Sequence, residues 1–148
     1  MKDIELHERA LTGADLACLR GLAAAGTPLP PELAEALDAH DLVPPGAPPA
    51  DLVTLWSEVD LHDPATARRQ RVKLCEPAAS NPALGFISVL SPLGAALLGL
   101  RAGMVARWAL PLGGEREALI ERVTFQPVAA HAAHSADAAH AAHAAHAA

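Results

Sequence analysis

Tyrosine is absent from this chain, and the aromatic side chains number four: Trp56, Phe86, Trp108 and Phe125. So few rings cannot build a large aromatic ligand cage or a stacking platform for nucleic-acid bases. Cysteine is scarce too. Cys18 and Cys75 share no C-x-x-C spacing, and two scattered cysteines do not make the disulfide framework of a small secreted domain. No apolar run approaches the ~20 residues a membrane span requires, and charges interrupt every apolar run of "MKDIELHERALTGADL", so no signal-peptide core is expected. Cytoplasm is the default compartment. Positive charge is in short supply: 11 Lys and Arg stand against 17 Asp and Glu, a net charge of -6. Free nucleic acid is therefore not expected as the main partner, because phosphate binding needs a cationic surface. No glycine pattern forms a phosphate loop, and no Ser-His-Asp or Cys-His grouping has a recognisable local context.

What is present falls into four parts within 148 residues. Residues 1–43 read as a short helical hairpin. Thr12 is an N-cap with Asp15 three positions on, an acidic variant of the capping box, and Leu16, Leu19 and Leu22 follow at helical spacing towards Gly26. "TPLPPE" is a turn, after which Leu33, Ala36 and Leu37 form a second apolar stripe. Glu8, Asp15, Glu32, Glu35, Asp38 and Asp41 read as solvated faces and caps. The proline-rich residues 44–50 form a linker incompatible with helix or central strand.

From residue 51 the hydrophobic period drops to two. Val53, Leu55, Val59 and Leu61 alternate with polar residues, predicting a half-buried strand. Val72 and Leu74 alternate with Arg71, Lys73 and Cys75 in a second. "GFISVLS" and "MVARWALP" read as a third and fourth, and "EALIERVTF" suits a strand or a helix; the last two join across Gly113-Gly114. Between the third and fourth lies "SPLGAALLGLRAG". Ser91 is a good N-cap and Pro92 a good first helical residue, while Gly99 suits the left-handed position past the end. A helix apolar all round is a buried helix, so this one is expected to pack on a curved sheet. Trp108 reads as core, and the basic run "ARRQRVK" as a solvated strand edge. The fold class is α+β.

"ISVLSPLGAALLGLRAG", followed by "WALP" and "GG", resembles the C-terminal domain of Gre-type transcript cleavage factors. "LDAHDLVPP", "PPADLVTLWSEV" and "ERVTFQPVAA" bring the chain nearer to the Rnk-type members of that superfamily, the regulators of nucleoside diphosphate kinase. The likeness covers roughly residues 11–130. It implies an FKBP-like antiparallel body over residues 51–128, and docking on RNA polymerase near the secondary channel through the corner made by Ser91, Pro92 and Leu93. It implies a non-enzymatic regulator of transcription that influences nucleoside diphosphate kinase levels. A prolyl isomerase activity, which the FKBP-like shape brings to mind, is not expected with four aromatics. The alternative is a transcript cleavage and elongation factor proper. Gre factors hold a catalytic magnesium ion on an acidic coiled-coil tip; here the turn "AAAGTPLPP" has no carboxylate before Glu32. A second departure is Met104, where the family often has an acid after "LRAG".

Residues 129–148 are His- and Ala-rich, a composition expected to be disordered. His131, His134, His140, His143 and His146 recur in steps of three. Neutral imidazoles bind zinc or nickel, so weak metal binding by this tail is a third functional expectation; no other cofactor is expected.

Overall fold

The computed structural model describes residues 9–38, 41–43 and 48–127. Strand β1 (Ala10–Leu11) leads into α1 (Gly13–Ala24), α2 (Pro31–Asp38) and β2 (Asp41–Leu42). The body follows as β3 (Glu58–Asp63), β4 (Arg68–Cys75), β5 (Phe86–Ser88), α3 (Pro92–Leu97), β6 (Val105–Ala109) and β7 (Glu115–Phe125), with two short 3-10 turns ahead of β5. The body strands form one sheet in the order β5-β4-β3-β7-β6. "EALIERVTF" is therefore strand, as part of β7.

Thr12 caps α1 with a complete capping box: its Oγ1 accepts from the Asp15 N–H at 3.1 Å, and Asp15 Oδ2 accepts from the Thr12 N–H. Ser91 caps α3 through its side chain alone, with Oγ accepting from Gly94 N–H at 3.0 Å. Gly99 does lie in the left-handed region, at φ +87°. Gly113 and Gly114 both take positive φ and close the β6–β7 hairpin, with Leu110 N–H donating to Gly114 O. Such a turn needs residues that tolerate φ > 0.

Four features differ from the sequence reading. The strand expected from Val53 starts only at Glu58. Val53 and Leu55 are buried all the same, because the chain turns there: Ser57 N–H donates to Thr54 O, and Trp56 adopts φ +68°. Second, the sheet is mixed. β5 runs parallel to β4, while every other pairing in it is antiparallel. Third, β1 and β2 pair in parallel, two residues each, a length at which periodicity carries no signal. Fourth, Cys75 is fully buried rather than on the polar side. Its thiol donates to Ile87 O at 3.5 Å, since β5 pairs alongside it.

One apolar cluster fills the molecule. Leu11, Leu16, Leu19 and Leu33 of the helical segment pack in the same cluster as Val59, Leu61, Val72, Leu74 and Ile120 of the sheet and Ala95, Ala96, Leu97 and Leu98 of α3. The apolar helix is thus enclosed on both sides. Gly94 permits the closest approach, because a Cβ there would stand 2.0 Å from Ser88 O on β5.

Candidate functional site

Two glycine-dependent corners, the start of α3 and the β6–β7 hairpin, come together around a cleft of about 250 Å³. Ile87, Pro92, Leu93, Trp108, Leu110 and Pro111 give it apolar walls, and Ser80, Ser88 and Ser91 a few polar points. The structure therefore places all three residues of the expected corner on one surface feature. It divides their roles. Ser91 Oγ donates to Ser88 O at 2.7 Å while accepting from Gly94 N–H, so its hydroxyl is committed to holding the helix start. Pro92 is exposed and Leu93 half-buried, leaving these two to present apolar surface.

Trp108 does pack against the core cluster, but it also lines the cleft. Leu110, at the end of β6, is partly exposed, and Leu112 at the hairpin tip is 100% exposed. Leu84, two residues beyond cleft-lining Pro82, is 71% exposed. Sequence reasoning missed this half of the site. The signal was "WALPL" running into two glycines: apolar residues at a hairpin tip, where solvation favours polar ones. A concentration of exposed leucines and a half-exposed tryptophan beside a cleft is what a protein-binding surface presents.

Two arginines of the basic run, Arg69 and Arg71, are in ion pairs, and Lys73 stands over the rings of Phe86 and Phe125. Arg71 holds Asp60 through two hydrogen bonds, at 2.7 and 3.2 Å. Arg122 stands 3.5 Å from the same carboxylate, and Arg69 pairs with Glu121. The Arg71 hydrogen bond keeps the Asp60 carboxyl below its usual range, and the Arg116 hydrogen bond does the same for Asp63. Exposed pairs like these contribute little stability; they make this face of the sheet a nearly neutralised, solvated surface.

The turn between α1 and α2 carries no carboxylate, and Glu32 sits inside α2. Magnesium needs oxygen ligands brought together, so the tip does not fit the catalytic ion of cleavage factors. Among the described residues no group of three or more His, Cys, Asp or Glu side chains could hold a metal. His131, His134, His140, His143 and His146 lie outside the described residues. Among the described residues, no helix is long and apolar enough to cross a membrane.

Comparison with known proteins matches this architecture. The family described as "Transcription elongation factor, GreA/GreB, C-term" matches residues 48–125. The "Regulator of nucleoside diphosphate kinase" of Escherichia coli strain K12 is 34% identical over 106 residues, spanning 72% of this chain and 78% of the relative; the Shigella flexneri protein of that name gives the same figures. Among solved structures, the "Prokaryotic transcription elongation factor GreA/GreB from Nitrosomonas europaea" superposes with a TM-score of 0.64 at 28% identity, covering 79% of this chain and 99% of that one. These relatives are named as regulators and transcription factors, not as catalysts. With the family match covering more than half of the chain and the Rnk-type relatives covering most of it, the protein belongs to the GreA/GreB C-terminal family, as an Rnk-type, transcription elongation factor-like regulator.

Proposed function

We propose that this protein binds RNA polymerase at the rim of its secondary channel and modulates transcription by occupancy, without contributing catalytic groups. The observation that carries the reading is the apolar cleft at the start of α3, on the segment whose Ser-Pro-helix pattern matches the family. The body acts as the docking module, with the FKBP-like shape that the resemblance implies. Pro92, Leu93 and the exposed leucines of the β6–β7 hairpin provide the contact, and Ser91 keeps the corner in shape. The two-helix segment reaches towards the channel. At twelve and eight residues its helices span only ~18 and ~12 Å. Altered nucleoside diphosphate kinase levels follow through transcription, in the cytoplasm, and nucleic acid is met only through the polymerase.

The test is a folded surface variant. Leu93→Glu combined with Leu112→Asp puts charge on the cleft wall and on the hairpin tip next to it, and removes no side-chain hydrogen bond. Its affinity for core polymerase is expected to fall at least about tenfold, the size of losing one interface anchor, with circular dichroism unchanged. Equal binding by the folded variant and the parent would overturn the docking surface.

The acid-free turn makes a second expectation. Backtracked elongation complexes given saturating protein and magnesium should cleave their transcripts no faster than untreated complexes, and the protein should compete with a Gre-type factor in that assay. A clear acceleration would make it a cleavage factor instead.

A further inference from the structure

Helix α3 has two ends and two duties. Its first residues form the docking corner. Its last carbonyls have no basic residue of their own helix to meet them, and the cation arrives from far away in sequence. Arg9 Nη1 donates to Ala95 O at 2.9 Å and to Leu98 O at 2.6 Å. A guanidinium there complements the negative end of the helix and satisfies orphan carbonyls. The next residue adds a backbone bond, Ala10 N–H to Gly99 O at 3.0 Å. Glycine suits this approach: Gly99 has φ +87°, where other side chains are strained, and a Cβ on it would stand a tight 3.1 Å from Ala10 O.

Arg9 also faces the helical segment. It lines a cleft of about 170 Å³ together with Glu32 and Glu35 of α2, Ala96 and Leu100 beside it, and Arg107 of β6. Burial pulls the guanidinium below its ordinary value, and the two glutamates oppose that shift. One side chain is thus hydrogen-bonded to the far end of the docking helix and electrostatically tied to α2. Six residues of α3 separate the two ends by only ~9 Å, and the helix is enclosed in the core, so it behaves as a short rigid rod.

We propose that Arg9 is a positioning residue: it fixes the angle at which the two-helix segment stands relative to the docking corner. The proposal rests on the docking reading for its functional consequence, but its geometry stands apart from it. Arg9→Gln removes the tie between α2 and the end of α3 and leaves the packing of Leu11, Leu16, Leu19 and Leu33, the Ala10–Gly99 backbone bond and the bond from Leu55 N–H to Asp15 Oδ1 to hold the segment against the body. Arg9→Lys keeps the charge and reaches fewer carbonyls.

Two measurements on the full-length chain test this. Nitroxide labels at exposed Arg20 and Glu115, each replaced by cysteine in a Cys18→Ser, Cys75→Ala background, report the distance between helical segment and sheet. A narrow distribution is expected with Arg9, a broad one with Arg9→Gln, and a partly narrowed one with Arg9→Lys; equal widths in all three would overturn the proposal. A photocrosslinker at Ala25, near the α1–α2 turn, reports where the segment lies on polymerase. Arg9→Gln should bind polymerase within about twofold of the parent while the crosslink yield drops at least about fivefold, an effect at the lower end of typical coupling. Binding and crosslinking lost in parallel would reduce Arg9 to a stability residue, and Arg9→Lys decides the point should Arg9→Gln not fold. Failure of the parent to bind polymerase would remove the docking reading instead, with the distance measurement still judging Arg9.

Discussion

Gly94→Ala is expected to lower the melting temperature by at least about 6 °C, whereas Gly21→Ala raises it. A Cβ on Gly94 would lie 2.0 Å from Ser88 O, 2.8 Å from Ser88 C and 3.0 Å from Val89 Cα. All three are backbone atoms, so no side chain can swing aside. The Ser88 carbonyl is itself fixed, since it accepts from both Ser91 N–H and Ser91 Oγ. Relief requires α3 to lift from β5, which opens the packing of Ala95, Ala96, Leu97 and Leu98, all buried. Overpacking costs ~1–3 kcal/mol where side chains can adjust, and a backbone collision belongs at or above the top of that range. At ~2–4 °C per kcal/mol for a chain of this size, 3 kcal/mol or more gives the stated drop. Gly21 is the control. It lies within α1 with nothing within 4 Å of an added Cβ, so alanine gains ~0.5–1 kcal/mol from helix propensity. Differential scanning calorimetry of both variants decides it; a Gly94→Ala melt within a few degrees of the parent would mean that α3 does not sit on β5 as described.

That collision also shows what the sequence could and could not carry. "SPLGAALLG" announces a capped, buried helix through local rules alone: serine and proline at the start, glycine past the end, apolar residues around. The same rules gave the Thr12–Asp15 capping box. They are silent on which glycine is pressed against a strand, because Gly94 and Gly21 look alike as letters. Alternation from Val53 onward marks the burial of Val53, Leu55, Val59 and Leu61 but not the start of the strand: Leu52, Val53, Thr54 and Leu55 are all buried, because a turn enclosed in the fold has no wet face. Trp56, at positive φ, marks where the two diverge. Cys75 fails for a related reason: period-two patterning assumes one wet face, and at the end of β4 both faces are dry, with Leu74 and Cys75 buried side by side. The site was half legible. Ser91, Pro92 and Leu93 are contiguous and carry a pattern. Trp108 and Leu110 reach the same cleft only because the hairpin folds back beside α3, and single-sequence spacing holds no trace of that proximity.

Asp15→Ala should destabilise the protein by ~2–4 kcal/mol. Sequence reading assigns this carboxylate to a cap, and the cap exists. The structure adds a longer reach: Asp15 Oδ1 accepts from Leu55 N–H at 3.0 Å, forty residues away, within the 54–57 turn. Thr54 Oγ1 and Ser57 Oγ, 2.9 Å apart, complete a buried polar knot beside it. Alanine at 15 would leave the N–H groups of Leu55 and Thr12 buried without an acceptor, at ~1–3 kcal/mol for each such group. The pH dependence separates this role from simple packing. Burial raises the Asp15 carboxyl pKa, against three hydrogen bonds that lower it. The folded protein therefore keeps the Asp15 proton to higher pH than the unfolded chain does. Between the unfolded carboxyl value near ~4 and the raised folded value, the native state binds more protons, so this residue's contribution to stability falls as pH rises. Asp60 and Asp63 slope the opposite way: their carboxyls are lowered in the fold, and their contribution is lost as pH falls through those lowered values. A melt of the parent alone mixes the two. The difference in unfolding free energy between the parent and Asp15→Asn isolates one of them, because asparagine does not titrate and the pairs around Asp60 and Asp63 are untouched. That difference should shrink as pH is raised from about 4 through the raised folded value. A difference that grows over the same range would mean that the Asp15 carboxylate is stabilised in its charged form, and that the link to Leu55 outweighs its burial.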